Sequence, residues 1–151
     1  MKVRVWKHLL KTSEIKTSQA KIEMKKAVEQ LRRTEDRLAH LNQIRIEYQG
    51  RLKNMENINH SMEKNLMYRK FIGQVSTLEE RLVRDLSATK AWVKNSQSKF
   101  KEAMRKQAKY EFIIEQHAIK AKRLDKKNET RDAEAAGISR HNLKSSNSFF
   151  A

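Results

Sequence analysis

Cysteine and proline are both missing from this chain of 151 residues, and its three glycines stand alone at positions 50, 73 and 137. Without cysteine there is no disulfide, no thiolate metal site and no thiol nucleophile, which fits a reducing compartment. Without a glycine-rich loop there is no cradle for a phosphate, so the chain is not expected to hold a nucleotide of its own. Long apolar runs are missing as well. No stretch approaches 18 consecutive apolar residues, and residues 1–10 are interrupted by Lys2, Arg4 and Lys7. Neither a membrane span nor a signal peptide is expected.

What fills the chain instead is apolar residues at heptad spacing. One seam of positions seven apart holds Val3, Leu10, Met24, Leu31, Leu38, Leu52 and Leu66, interrupted by Thr17, Arg45 and Asn59. A companion seam four residues earlier holds Trp6, Ala20, Ala27, Leu41, Tyr48, Met55 and Met62, interrupted by Ser13 and Thr34. Fourteen of these nineteen positions are apolar in a chain that is only 38% hydrophobic, so the period is a signal rather than a by-product of composition. A stripe of two residues in seven is that of a coiled coil.

A second run keeps its own register. Ile72, Leu86, Val93, Phe100, Ile114 and Ala121 lie on one seam, and Tyr68, Val75, Leu82, Ala103, Tyr110 and Leu124 on the other. Glu79, Thr89, Ser96, Gln107, His117 and Asn128 interrupt it, so this seam is thinner than that of a leucine zipper. The fold class is therefore all-α: a long antiparallel two-helix coiled-coil hairpin over 1–136 with its turn near 56–76, followed by a disordered tail over 137–151.

The first helix is expected from about Val5 to Asn57, roughly 80 Å of rod at 1.5 Å per residue. Gly50 reads as a tolerated surface position. Residues 56–61 concentrate Asn and Ser, whose side chains compete for backbone hydrogen bonds, and the turn is placed there. The second helix starts either near Ser61, passing through Gly73, or near Ser76, where Ser76 with Glu79 and Thr77 with Glu80 have capping-box spacing. Gly137 offers a C-terminal cap. The final Phe149 and Phe150 read either as a frayed end or as a docking tag.

No constellation for catalysis stands out. His8, His40, His60, His117 and His141 are far apart, and none has a His or Cys partner on its own helix face, so no metal is expected. Glu35 with Asp36 and Glu79 with Glu80 are adjacent and diverge around a helix, and a rod has no pocket to desolvate a carboxylate. The expectation is a non-enzyme with no cofactor, no metal and no small-molecule substrate. On the seams, Arg45 is expected to snorkel past the coil and His117 to act as a polar layer. Met24, Met55 and Met104 read as core filler, whereas Met62 and Met67, beside Tyr68, Phe71 and Ile72, have too few neighbours to cover them and suggest a partner surface.

The net charge of +16 is spread along the rod, with +7 over 1–66, +7 over 67–136 and +2 in the tail. Such a surface draws any polyanion at low salt, and the attraction is screened over about 10 Å. Charge alone does not choose among nucleic acid, anionic lipid and acidic protein.

Several segments in order and spacing resemble the FliJ proteins of the bacterial flagellar export apparatus. They are the Trp-Lys-His-Leu-Leu start at Trp6, the segment 38–52 (LAHLNQIRIEYQGRL), the segment 68–72 (YRKFI) and the charged run 123–134 (RLDKKNETRDAE). The resemblance implies an antiparallel coiled coil similar to the central stalk of rotary ATPases. It implies binding of a hexameric export ATPase through the paired termini and of the export gate, a membrane protein with a cytoplasmic domain, through the turn end. Carried over residue by residue, the gate-facing positions would be Tyr68, Phe71, Ile72, Val75, Leu78 and Leu82. The ATPase-facing positions would be Trp6, Leu9, Leu10, Tyr110, Ile114, Arg123, Leu124 and Lys127. The sequence departs from the family pattern in extra residues between Phe71 and Thr77 and in its Ser/Asn-rich tail.

The resemblance further implies a cytoplasmic protein, monomeric when free and peripherally associated with the inner membrane; whether it also escorts export chaperones stays open on the residues. Three alternatives stay open on the residues alone. One is the equivalent stalk of a virulence secretion system. Another is a basic coiled coil binding nucleic acid, although aromatics interleaved with Arg and a concentrated basic face are lacking and no specific nucleic acid is expected. The third is a parallel homodimeric filament, against which the break at 56–61 and the change of register argue.

Overall fold

A computed structural model describes residues 2–57 and 62–149, and these form two α-helices, α1 (Lys2–Asn57) and α2 (Met62–Phe149), packed against each other as an antiparallel hairpin. The pairs run in opposite order along the two helices: Thr17 meets Ala103, Arg45 meets Glu79 and Glu56 meets Arg69. With no proline in either helix, no internal break is imposed. Of the turn expected at 56–61, Glu56 and Asn57 are the last residues of α1, and Ile58, Asn59, His60 and Ser61 lie outside the described residues, as does Phe150.

α2 starts at Met62 and passes straight through Gly73, so Ser76 and Thr77 are not caps. The Thr77 hydroxyl donates backwards to the Gly73 carbonyl at 3.0 Å rather than accepting from an amide ahead of it. Thr12, Thr34, Thr89 and Thr130 make the same bond to the carbonyl four residues back. At its other end α2 continues through Gly137, which has no positive φ and hence no left-handed cap, as far as Phe149. Gly50 and Gly73 are exposed, with open space where a Cβ would project.

Two units divide the chain, one of residues 1–14 with 105–151 and one of residues 15–104. In the larger unit the seams read from the sequence are the buried faces. Ala27, Val75 and Val93 are buried, together with the polar Thr34, Thr89 and Ser96, while the larger Met24, Leu31, Leu38, Leu41, Leu82 and Leu86 stay half-exposed. Size accounts for this. A two-stranded coil shields only the strip between its backbones, so small side chains are covered and long ones reach past the edge into water. The buried hydroxyls of Thr34 and Thr89 avoid a desolvation penalty by bonding to Gln30 and Asp85 within their own helix. Thr17 instead donates across the seam to the Ala103 carbonyl at 3.3 Å.

In the smaller unit, Ser13 is buried, Trp6 and Tyr110 stack with ring centroids 6.0 Å apart, and burial along α2 fades after Ile119. Every residue from 120 to 145 is exposed, including Ala121, Leu124 and Asn128, expected as the last seam positions. The reason is register. Trp6 already lies against Tyr110, four residues from the start of α1, so little first helix remains to face the rest of α2. No described helix is long and apolar enough to cross a membrane.

Candidate partner-docking surfaces

Near the C-terminal end of α1 and the start of α2, the larger unit carries an aromatic cluster. Tyr48 of α1 packs between Phe71 at 4.5 Å and Tyr68 at 5.5 Å, both on α2, with the guanidinium of Arg51 over its ring at 5.1 Å. Together with Met55, Lys64 and Met67 these rings line a shallow cavity of about 450 Å³. Two cross-helix ion pairs flank it: Arg69 Nη2 donates to Glu56 Oε1 at 3.0 Å, and Arg45 Nε donates to Glu79 Oε1 at 2.8 Å. Arg45 therefore does not simply snorkel into water as its sequence position suggests. A carboxylate on the facing helix captures it.

α2 divides the six expected gate-facing residues between two faces. Phe71 and Leu78, seven apart, are exposed and share an outward face with Met67, which is 72% exposed. Tyr68, Ile72 and Leu82 are half-buried on the seam, and Val75 is only 3% exposed inside it. Beside the first group, Met62 and Leu66 are also open to solvent, at 81% and 63%. The apolar surface inferred around Met62 and Met67 is thus uncovered, but it is built of Met62, Leu66, Met67, Phe71 and Leu78 rather than of the seam.

Of the expected ATPase-facing residues, all in the smaller unit, Trp6, Leu9, Leu10, Tyr110 and Ile114 are half-buried against one another's helices, whereas Arg123, Leu124 and Lys127 are exposed on α2 alone. Arg123, Lys126, Lys127, Thr130, Arg131 and Glu134 line a second shallow groove. Counted from Arg123 they stand 3, 4, 7, 8 and 11 residues on, so all six share one helix face, with four positive charges and the one carboxylate of Glu134. Lys126 and Arg131 lie within the charged run 123–134 read from the sequence but are not among its named ATPase-facing positions, although the same spacing picks them out.

Other sequence readings need correction. Met104 is 46% exposed and is not core filler, and Val3 is open at 37% despite its seam position. Trp92, one residue before the buried seam position Val93, is 37% exposed, and nothing in the heptad pattern marks it because it lies beside the seam. Among the described residues, no group of three His, Cys, Asp or Glu side chains comes together as a metal could require.

The fold and its surfaces define the class: an antiparallel coiled-coil pair with an open apolar patch, a basic helix face and shallow grooves. The sequence model of the family described as Flagellar FliJ protein matches residues 6–136, and the chain belongs to that family. No curated protein and no solved structure gives a significant match. Membership makes the chain a component of the flagellar export apparatus, and the family's role there is structural rather than enzymatic.

Proposed function

We propose that this protein is the stalk of the flagellar export ATPase complex: a coiled coil that binds the hexameric ATPase, promotes its assembly and turnover, and links it to the export gate. The observation that carries this reading is the family match, which takes in nearly the whole helical pair and both candidate surfaces. In the proposed arrangement Trp6, Leu9, Leu10, Tyr110, Ile114, Arg123, Leu124 and Lys127 engage the ATPase. The exposed Phe71 and Leu78, supported from the seam by Tyr68, Ile72, Val75 and Leu82, engage the cytoplasmic domain of the gate, and the same protein escorts export chaperones.

A stalk of this kind needs no active site. One asymmetric rod contacts six like subunits unequally, so by linkage it favours the assembled or catalytically competent ring. Work at the gate places the protein in the cytoplasm at the inner membrane, held there by its partners. The direct test adds the purified protein to the purified export ATPase and follows phosphate release together with oligomer size by light scattering. Faster turnover and a shift to hexamers are expected; an unchanged rate and an unchanged oligomer state sink the reading.

A further inference from the structure

A third surface, in the larger unit, shares no residue with the two regions used above. Lys25, Lys26, Glu29, Gln30 and Arg33 stand 3, 4, 7, 8 and 11 residues after Ile22 on α1, so the six share one face over about 16 Å, three helical turns. Trp92 of α2 closes the side of this strip, and the residues together line a groove of about 480 Å³. Ile22 is 55% exposed and Trp92 37%. The groove thus joins two apolar side chains to cations, and no described residue covers it.

We infer that the groove of Ile22, Lys25, Lys26, Arg33 and Trp92 docks an acidic amphipathic helix of a partner protein, apolar face on Ile22 and Trp92 and carboxylates on the lysines.

Charge complementarity selects this occupant. Neither Lys25 nor Lys26 has a carboxylate partner among the described residues, whereas the one carboxylate in the groove, Glu29, is already taken. Arg32 donates to it at 2.9 Å and Arg33 lies at 3.5 Å. The bond to Arg32 and the charges of Arg32 and Arg33 hold its carboxyl below the usual carboxylate range. The lysines are left to bind an incoming anion. A nucleic acid fits less well, because its phosphates gain nothing from the apolar Ile22. A helix laid in a groove is instead read by anchors at the same three- and four-residue spacing that the strip displays. The groove's three turns match a short helix.

The test uses the full chain and fluorescein-labelled synthetic peptides of three to four turns, followed by fluorescence anisotropy in physiological salt. One peptide has leucines on one helical face and glutamates on the other; a second has the same composition scrambled. Saturable binding of the first is expected, with the scrambled peptide weaker by about tenfold or more. Lys25→Glu/Lys26→Glu, Trp92→Ser and Ile22→Ser should each weaken binding by about tenfold, whereas Lys53→Glu/Lys70→Glu, an equal charge change elsewhere, should alter it less than about threefold. Thermal melts identify any variant that fails to fold, and the more exposed Ile22 site replaces Trp92 if that one does. Equal binding of the scrambled peptide, or equal loss in the Lys53/Lys70 variant, overturns the proposal. So does a thymidine oligonucleotide that binds more tightly than the peptide and suffers the same losses, which would make the groove a nucleic-acid site.

Discussion

Arg45 and Glu79 join the two helices through the core seam itself: Nε donates to Oε1 at 2.8 Å, with the side chains only 28% and 18% exposed. The remaining guanidinium nitrogens donate to Asn42 at 2.7 Å and Gln49 at 3.4 Å, so the group is held from both helices. A slip of one heptad would set Arg45 opposite Ile72 or Leu86 instead, both apolar seam residues. The pair therefore specifies register, the best attested role of a polar group at a coiled-coil core position.

Arg45→Ala and Glu79→Ala are each expected to destabilise the hairpin by about 1–2 kcal/mol, and the double variant by clearly less than their sum. Arg45→Leu/Glu79→Leu should be at least as stable as the native chain while losing its unique register. Thermal melts check the energies, and disulfide trapping between introduced cysteines checks the register.

The partition of the expected gate-facing residues over two faces predicts unequal effects. Phe71→Glu removes an exposed ring stacked on Tyr48, with an expected loss of about 1 kcal/mol, full helical content and no binding to the gate's cytoplasmic domain. Val75→Glu places a charge inside the seam, and there the loss of binding should come with loss of helical structure. Circular dichroism beside a binding titration separates the two.

Thr34 and Thr89 occupy two of the best covered positions in the larger unit, yet their hydroxyls contribute nothing across the seam. Thr34→Val and Thr89→Val should each raise stability by about 0.5–1 kcal/mol, because valine keeps the shape and gains apolar burial. A lower midpoint in either melt would mean that the hydroxyls hold something beyond their own helix.

The far part of α2 is exposed from 120 to 145. A helix with no packed face is marginal in water, and Gly137, Ser139, His141, Asn142 and Ser145 are poor helix formers. Ending the chain after Ala136 is expected to leave the melting midpoint within about 2 °C of the full chain's. In hydrogen exchange, amides 138–145 should exchange orders of magnitude faster than those around Val93.

Period reveals two coiled-coil helices, and it takes the break at 56–61 and the change of register to fold them into a hairpin; the half-buried and buried residues from Trp6 to Met55 and from Tyr68 to His117 largely follow the positions the period names. Where each seam stops is not legible in one helix, since Ala121 and Leu124 keep the spacing after their partner helix has run out. Nor does a heptad count see what flanks the seam: Trp92, Arg51 over Tyr48 and the outward row of Met67, Phe71 and Leu78 depend on how the two helices are rotated against each other. Arg45 was legible as an anomaly, but its answer in Glu79 required the antiparallel register.

The covered core of the larger unit is made of small side chains such as Ala27, Thr34, Thr89 and Ser96, with no large one fully enclosed among the described residues. A pair built in this way has no keystone. Its cohesion is shared among many thin layers, so resistance to local opening should follow local burial along the pair and not rest on any single side chain.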